Sequence, residues 1–177
     1  VQGTASYVLC MIELLQQCVE MHVKPDYLVV AVGSGSTMAG LLLGARVLSA
    51  GCKVIGMSVS RTADKARTII LEDLNRSAPA LGYEVQFAPE DICVLDDYIG
   101  PGYAIPSHET LEAMLLLART EGIVLDHVYT AKAMAGLIDL VKKGYFKHDD
   151  TVVFFHTGGG PAVFALDEEY RQKLGAF

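Results

Sequence analysis

The chain has 177 residues, of which 51% are hydrophobic and 20% are charged, and its formal net charge at pH 7 is −7. This length and composition fit one domain with a sizeable core, since domains run to roughly 100–200 residues. Because the chain is negatively charged, we predict that it does not bind nucleic acid. The longest strongly apolar runs, such as residues 28–32, are far shorter than the ~20 residues of a membrane span, so we predict no membrane association either.

Apolar and β-branched runs bounded by glycine, proline or polar residues predict strands at 27–32, 53–60, 92–95, 123–125 and 151–156. Segments with apolar residues at helical spacing predict helices at 3–22, 38–48, 62–75, 107–121, 130–143 and 166–173. The strands are apolar at successive positions, as in a parallel sheet that is covered on both faces. The alternation predicts a single α/β domain over residues 1–177, with a parallel sheet between two helical layers.

Local signals set the predicted helix boundaries. Thr4 or Ser6, Thr62 and Ser107 stand at the predicted starts of three helices, and hydroxyl residues are preferred N-caps. Residues 77–82, which include Pro79, predict a break after the third helix.

The most informative stretch joins the first strand to the second helix through glycines and hydroxyls. Residues 33–37, here called the glycine loop, are Gly33, Ser34, Gly35, Ser36 and Thr37. Backbone N–H groups point outward at such a helix start and the helix dipole favours negative charge, so we predict that the loop cradles a phosphate. It lacks the lysine of a P-loop, and position 38 is Met where the dinucleotide-binding pattern needs a third glycine. The alternative is a turn in which glycine serves geometry alone.

The four cysteines have no CxxC spacing, and the five histidines have no metal-ligand spacing. We therefore predict buried free thiols in a reducing compartment and no metal site. A cytoplasmic location is expected, and an organellar one stays open because Val1 is not a natural start.

In parallel α/β sheets, ligands bind at the carboxyl ends of the strands. The glycine loop, Tyr129 with Thr130, and residues 156–158 are predicted to collect at that edge. The segment 96–106, DDYIGPGYAIP, contains two prolines and two glycines, so it is predicted to be a loop that reaches the same edge. The order of elements thus predicts one site built from four distant segments.

These four segments, VGSGSTMAGL, DDYIGPGYAIP, LDHVYTAKAMAGLID and FFHTGGGPAVFA, resemble the 1-aminocyclopropane-1-carboxylate deaminase/D-cysteine desulfhydrase family in their order and spacing. The resemblance covers nearly the whole chain but only about the C-terminal half of a family member. It implies a tryptophan-synthase-β-like fold (fold type II) and pyridoxal 5'-phosphate as cofactor. It also implies that residues 1–177 are the C-terminal part of the large cofactor domain. The small N-terminal domain with the Schiff-base lysine then lies outside this sequence, and Lys132 is expected to be structural or a surface charge.

Roles for individual residues follow from the resemblance. It implies that Tyr103 and Tyr129 are catalytic, that the glycine loop holds the cofactor phosphate, and that Thr130, Thr157 and Gly158 also contact the cofactor. Taken alone, the residues would favour tyrosines at the edge of the core, a helix N-cap at Thr130 and a turn residue at Thr157. Family deaminases carry Glu and Leu at these two threonine positions, whereas desulfhydrases carry hydroxyl residues. The chain therefore resembles the desulfhydrase branch.

The implied reaction is α,β-elimination from D-cysteine to hydrogen sulfide, ammonia and pyruvate. The implied enzyme is a homodimer that takes a small amino-acid substrate, and this chain without the N-terminal half is expected to be inactive. One alternative is 1-aminocyclopropane-1-carboxylate deaminase, which forms 2-oxobutanoate and ammonia. Another is a non-catalytic phosphate-binding module, if the gene encodes only these residues.

Overall fold

In the computed structural model, which describes residues 1–175, four parallel strands form one sheet. The strands are β1 (Tyr27–Val32), β2 (Lys53–Ser58), β3 (Cys93–Leu95) and β4 (Val152–Phe155), in the spatial order β3-β2-β1-β4. Tyr27 of β1 is in register with Lys53 of β2 on one side and with Val152 of β4 on the other. The chain thus builds outward from β1 to β3 and then returns to the opposite side of β1. This reversal creates a crevice between the carboxyl ends of β1 and β4, where ligands bind in open α/β sheets.

Helices cover both faces of this sheet. They are α1 (Gln2–Glu20), α2 (Ser36–Val47), α3 (Ala63–Ala80), α4 (His108–Thr120), α5 (Thr130–Lys142) and α6 (Glu168–Gly175). The first three pack on one face, whereas α5 packs on the other face and is itself covered by α4. The prediction of a parallel α/β sheet between helical layers is confirmed.

The sequence of β1 explains its central position. Leu28 and Val30 face α2 and α3, while Val29 and Ala31 face α5. Burial of each such valine or leucine stabilises the fold by about 1.5–3 kcal/mol, so a strand that is apolar on both faces is most stable between two neighbours and two layers.

The predicted break at 77–82 is wrong, because α3 continues through Pro79 to Ala80. Proline removes the hydrogen bond to the carbonyl four residues earlier and crowds that carbonyl, but it lies in the last turn of α3, so no further turn follows that it could break. Ser77 is buried and donates a hydrogen bond to Asp73 at 3.2 Å, which fixes this last turn against the core. Tertiary packing outweighs the local signal.

The N-cap predictions have mixed outcomes. Neither Thr4 nor Ser6 begins α1, since the helix starts at Gln2, and Thr4 is instead buried with its hydroxyl donating to Asp73 at 3.0 Å. Thr62 precedes α3 without a side-chain cap, and the N–H of Ala63 donates instead to Asp96 at 2.8 Å. For α4, Ser107 accepts from the N–H of Thr110 at 3.2 Å, which confirms that cap.

Two further sequence predictions are corrected. Residues 123–125 form no strand: Leu125 is buried between α4 and α5, but Ile123 is 43% exposed, and within residues 1–175 no strand pairs with this run. All four cysteines are free as predicted, but only Cys18 is buried, and the other three are partly exposed. No helix within residues 1–175 is long and apolar enough to span a membrane.

Candidate active site

The glycine loop leaves the carboxyl end of β1 and becomes the first turn of α2. Gly35 has φ of 95°, a left-handed conformation, and a Cβ built there would lie 2.9 Å from Cγ1 of Ile70. Both the backbone and the space therefore require glycine. The start of α2 has no side-chain cap, so the N–H groups of its first turn remain available to an anion.

The hydroxyls of this loop differ in their surroundings. Ser34 is exposed and Thr37 is half-buried, whereas the hydroxyl of Ser36 lies near the buried carboxylate of Asp73 and helps to lower its pKa. Burial alone would raise the pKa of Asp73, but hydrogen bonds from Arg76, Thr4, Ser36 and Ser77 lower it overall. The side chain of Ser36 thus holds the helix start in place, and its contribution to an anion site is the backbone N–H.

Arg61 lies beside the glycine loop and was not predicted as a site residue. It follows β2, and its guanidinium donates to the carbonyl of Gly33 at 2.5 Å. Ser58 fixes its backbone, because the Ser58 hydroxyl accepts from the Arg61 N–H at 3.1 Å and donates to the Arg61 carbonyl at 2.6 Å. A positive charge therefore stands next to a loop that has no lysine. Its position after a parallel strand was the signal that could have found it.

The two predicted tyrosines come together above this loop. A Cβ at Gly33 would lie 3.1 Å from Cε1 of Tyr129, so the tyrosine ring rests on the glycine. The hydroxyl oxygens of Tyr103 and Tyr129 are 2.5 Å apart, with the rings edge to face. The hydrogen bond with Tyr103, and then burial, raise the pKa of Tyr129, so it stays a neutral phenol. Since one phenol donates to the other, the accepting phenol keeps its own proton for an outside group. The pair suits a proton donor better than a general base.

Asp126 caps α5 and is the main residue that the sequence interpretation missed. Its fully buried carboxylate accepts from the N–H groups of Val128, Tyr129 and Thr130, each at 2.8 Å. The hydroxyl of Thr130 donates to the same carboxylate at 2.6 Å and accepts from the N–H of Asp126 at 2.9 Å. The interpretation of Thr130 as the N-cap is therefore wrong. An Asp four residues before the first residue of the helix was the available signal.

The turn after β4 packs against this cap. Gly159 has φ of 94°, and a Cβ there would lie 2.6 Å from Cγ of Asp126. Nδ1 of His156 accepts a hydrogen bond from the N–H of Gly158, so the ring proton must be on Nε2. Nε2 lies 3.0 Å from the carbonyl oxygen of Val124 and donates to it. Thr157 and Gly158 are exposed at the end of β4, which is next to β1. They therefore border the crevice that the glycine loop lines.

Lys132 is fully buried, so the expectation of a surface charge is wrong and the structural alternative describes it. Its amino group donates to the carbonyls of Ile99 at 2.6 Å and Gly102 at 2.5 Å. Burial lowers the pKa of Lys132. These contacts hold the loop that carries Tyr103.

Together these residues fit a phosphorylated aromatic cofactor. The helix start, the glycine conformations and Arg61 suit a phosphate, and the ring of Tyr129 and the threonine-bearing turn after β4 border the space beside it. Gly158 has φ of 99°, and no atom lies within 4 Å of a Cβ built there, so the crevice is open on this side.

Comparison with known proteins identifies the family. Residues 1–158 match the family of pyridoxal-phosphate dependent enzymes. The chain is 44% identical over 163 residues to a D-cysteine desulfhydrase of Yersinia enterocolitica, which covers 92% of this chain and 48% of the relative. It is 39% identical over 169 residues to a 1-aminocyclopropane-1-carboxylate deaminase of Bradyrhizobium sp. strain BTAi1, covering 96% of this chain and 50% of the relative. The chain thus spans about half the length of the curated relatives it matches.

Solved structures agree with this assignment. A crystal structure of an ACC deaminase homologue is 33% identical and has a TM-score of 0.82, covering 98% of this chain and 49% of that one. Processed threonine deaminase isoform 2 from Solanum lycopersicum, at 15% identity and a TM-score of 0.59, shares the fold. The chain belongs to the pyridoxal-phosphate dependent enzyme family, in the group that contains 1-aminocyclopropane-1-carboxylate deaminases and D-cysteine desulfhydrases, and pyridoxal 5'-phosphate is its cofactor.

Proposed function

We propose that this chain is the cofactor-holding part of a carbon–sulfur lyase that converts D-cysteine and water into hydrogen sulfide, ammonia and pyruvate. The observation that carries the proposal is Thr130. The side chain at this position, at the start of α5, is a hydroxyl and not a carboxylate, and this hydroxyl already donates to Asp126. The 44% identity to a D-cysteine desulfhydrase supports the same choice.

Pyridoxal phosphate, when bound, withdraws electron density from the bonds at the substrate α-carbon. The N–H groups at the start of α2 would hold its phosphate, and Arg61 would add positive charge while fixing the carbonyl of Gly33. Three or four charge-assisted hydrogen bonds, each about 1.5–3 kcal/mol, suffice without a lysine in the loop.

Thr130 limits how strongly this chain can support electron withdrawal. Its hydroxyl donates to Asp126 and accepts from the Asp126 N–H, so one lone pair remains and it can only accept a further hydrogen bond. A carboxylate at this position would stabilise a protonated ring nitrogen more strongly. Loss of thiolate from the β-carbon has a good leaving group and needs less electron withdrawal than opening a cyclopropane ring.

The tyrosine pair supplies a proton. The departing thiolate must be protonated to leave as hydrogen sulfide, and the phenols of Tyr103 and Tyr129 hold one proton outside their mutual hydrogen bond. Tyr103 is 54% exposed, so it is accessible from the open side of the site. We assign the pair as the donor to the leaving sulfur, at Oη of one of the two tyrosines.

The test is a product assay on the intact enzyme, of which this chain is the proposed cofactor-holding part, supplied with pyridoxal phosphate. We expect sulfide from D-cysteine to form faster than 2-oxobutanoate from 1-aminocyclopropane-1-carboxylate; the reverse order would overturn the proposal. The Thr130→Glu variant is expected to release sulfide more slowly, whereas Thr120→Glu, on the exposed end of α4, serves as the matched control. Equal rates in the two variants would contradict the role given to Thr130.

The second candidate is 1-aminocyclopropane-1-carboxylate deaminase. It is favoured by the 39% identity to a protein of that name and by the TM-score of 0.82 to an ACC deaminase homologue. The same product assay decides between the two.

We also propose that the Schiff-base lysine comes from a small domain outside these residues. Support comes from Lys132, whose amino group is buried and bonded to two carbonyls. Borohydride reduction of the cofactor-loaded protein, followed by peptide mass spectrometry, should label no lysine between residues 1 and 177. A label on Lys132 would refute this, and no label on any lysine would favour the non-catalytic binding module.

A further inference from the structure

Lys132 is a large charged side chain that none of the proposed chemical steps uses. It lies in the first turn of α5, its exposure is 0%, and both of its hydrogen-bond acceptors are backbone carbonyls. Burying an amino group without hydrogen bonds costs several kcal/mol, so such a residue is stable here only because these two carbonyls are in place. The dependence is mutual, since the carbonyls would otherwise be left without this donor.

Both carbonyls belong to the loop at residues 96–106. Gly102, one of the two acceptors, is the residue immediately before Tyr103. The side chains that follow this acceptor anchor the loop weakly, because Tyr103 is 54% exposed and Ile105 is 42% exposed, and the next buried residue is Pro106. Ala104 adopts φ of 61°, an unfavourable conformation for a residue with a side chain, so the backbone here needs external support.

We propose that Lys132 is a positioning residue, whose amino group fastens this loop to α5 and thereby keeps the phenol of Tyr103 against that of Tyr129. The geometry suits this role, because Tyr129 lies directly before α5 and Lys132 lies in its first turn. Tyr98 also ties this loop to α5, since its hydroxyl donates to Asp139 at 2.6 Å, but Lys132 bonds the residue directly before Tyr103 and is the tie nearest to the two phenols. The assignment rests on the proposed function only for the chemical role of the phenols, and the position of the loop can be measured without turnover.

The test follows the ionisation of Tyr129 by carbon-13 NMR of ring-labelled tyrosine, with the signal assigned from a Tyr129→Phe variant. The groups that raise the pKa of Tyr129 are the Tyr103 phenol, first through its hydrogen bond, then burial, and to a lesser extent the Asp126 carboxylate. In Lys132→Met, which keeps an unbranched apolar side chain one atom shorter and removes the donor, we expect the titration midpoint to fall to that of a Tyr103→Phe variant. Lys142→Met, on the exposed end of the same helix, should titrate like the unchanged protein.

Each outcome is decisive. If Lys132→Met retains its circular dichroism spectrum and Tyr129 titrates as in the unchanged protein, the positioning role is wrong. If that variant does not fold, Lys132→Gln, which keeps a buried donor, is measured in the same way. Failure of both to fold would show that the lysine supports α5 itself, and would also overturn the proposal. Loss of sulfide release to the level of Tyr103→Phe is expected alongside the shift, but a protein with no desulfhydrase activity at all would leave the titration result intact.

Discussion

Replacing Asp126 with alanine should destabilise the protein strongly, because one buried carboxylate serves four donors. The change leaves the N–H groups of Val128, Tyr129 and Thr130 and the hydroxyl of Thr130 without their acceptor. At a net contribution of about 1 kcal/mol for each hydrogen bond, the expected loss is about 4 kcal/mol. That is a large part of the roughly 5–15 kcal/mol by which proteins of this kind are stable.

The assay is urea unfolding followed by circular dichroism. With a slope of about 2 kcal/mol per molar urea, the midpoint should fall by about 2 M. Asp150→Ala is the matched control, because its carboxylate accepts one hydrogen bond, from the Lys147 N–H at 2.7 Å near the surface. That variant should lose about 0.5–1 kcal/mol. If the two midpoints shift equally, Asp126 is not the residue that organises the start of α5.

Two further predictions concern the cofactor loop and the pH dependence of stability. Gly35→Val should weaken pyridoxal-phosphate binding by about tenfold or more in a fluorescence titration, because a β-branched residue resists φ of 95° and would contact Ile70. Gly122→Val, at φ of 69° in open space, is the control for backbone strain alone. Equal cofactor affinities of the two variants would contradict the phosphate cradle. Burial, and then the hydrogen bond to Asp139, raise the pKa of Tyr98, so its contribution to stability is complete below about pH 10 and is lost as the pH rises further. Tyr98→Phe should therefore have a lower urea midpoint than the unchanged protein at pH 8, and its midpoint should fall less as the pH rises above 10. If the midpoints of the two proteins fall in parallel, the ionisation of Tyr98 is not coupled to folding.

The sheet and the main site segments could be predicted from sequence because their signals are local. A strand that is buried on both faces is apolar at every position, as Val29 and Val30 illustrate, and a left-handed turn such as that at Gly35 needs glycine. The meeting of Tyr103 and Tyr129 was also expected, because their segments lead to the same edge of the sheet.

The missed features depend on partners that are distant in the chain. Thr62 has the local pattern of a cap, but the first N–H of α3, that of Ala63, donates to Asp96, which lies 33 positions after Ala63. Residues 123–125 resemble a strand, yet a strand needs a neighbour to pair with, and a run of side chains does not show whether one exists. The sequence allows Lys132 to be either structural or a surface charge, and only the packing of α5 against the loop that supplies two carbonyls shows that it is structural.

The pairing of β1 with β4 has a consequence for how the protein acquires its site. The N–H of Thr151 donates to the carboxylate of Asp26 across 125 positions of chain, and the two site loops leave the carboxyl ends of these same strands. Closing a loop of that length costs about 4 kcal/mol of chain entropy, and such distant contacts form late and slowly in folding. The crevice therefore does not exist in any partly folded chain that lacks β4. In refolding experiments, recovery of a ligand signal that needs both loops should follow the slowest folding phase, even though the glycine loop itself lies near the beginning of the sequence.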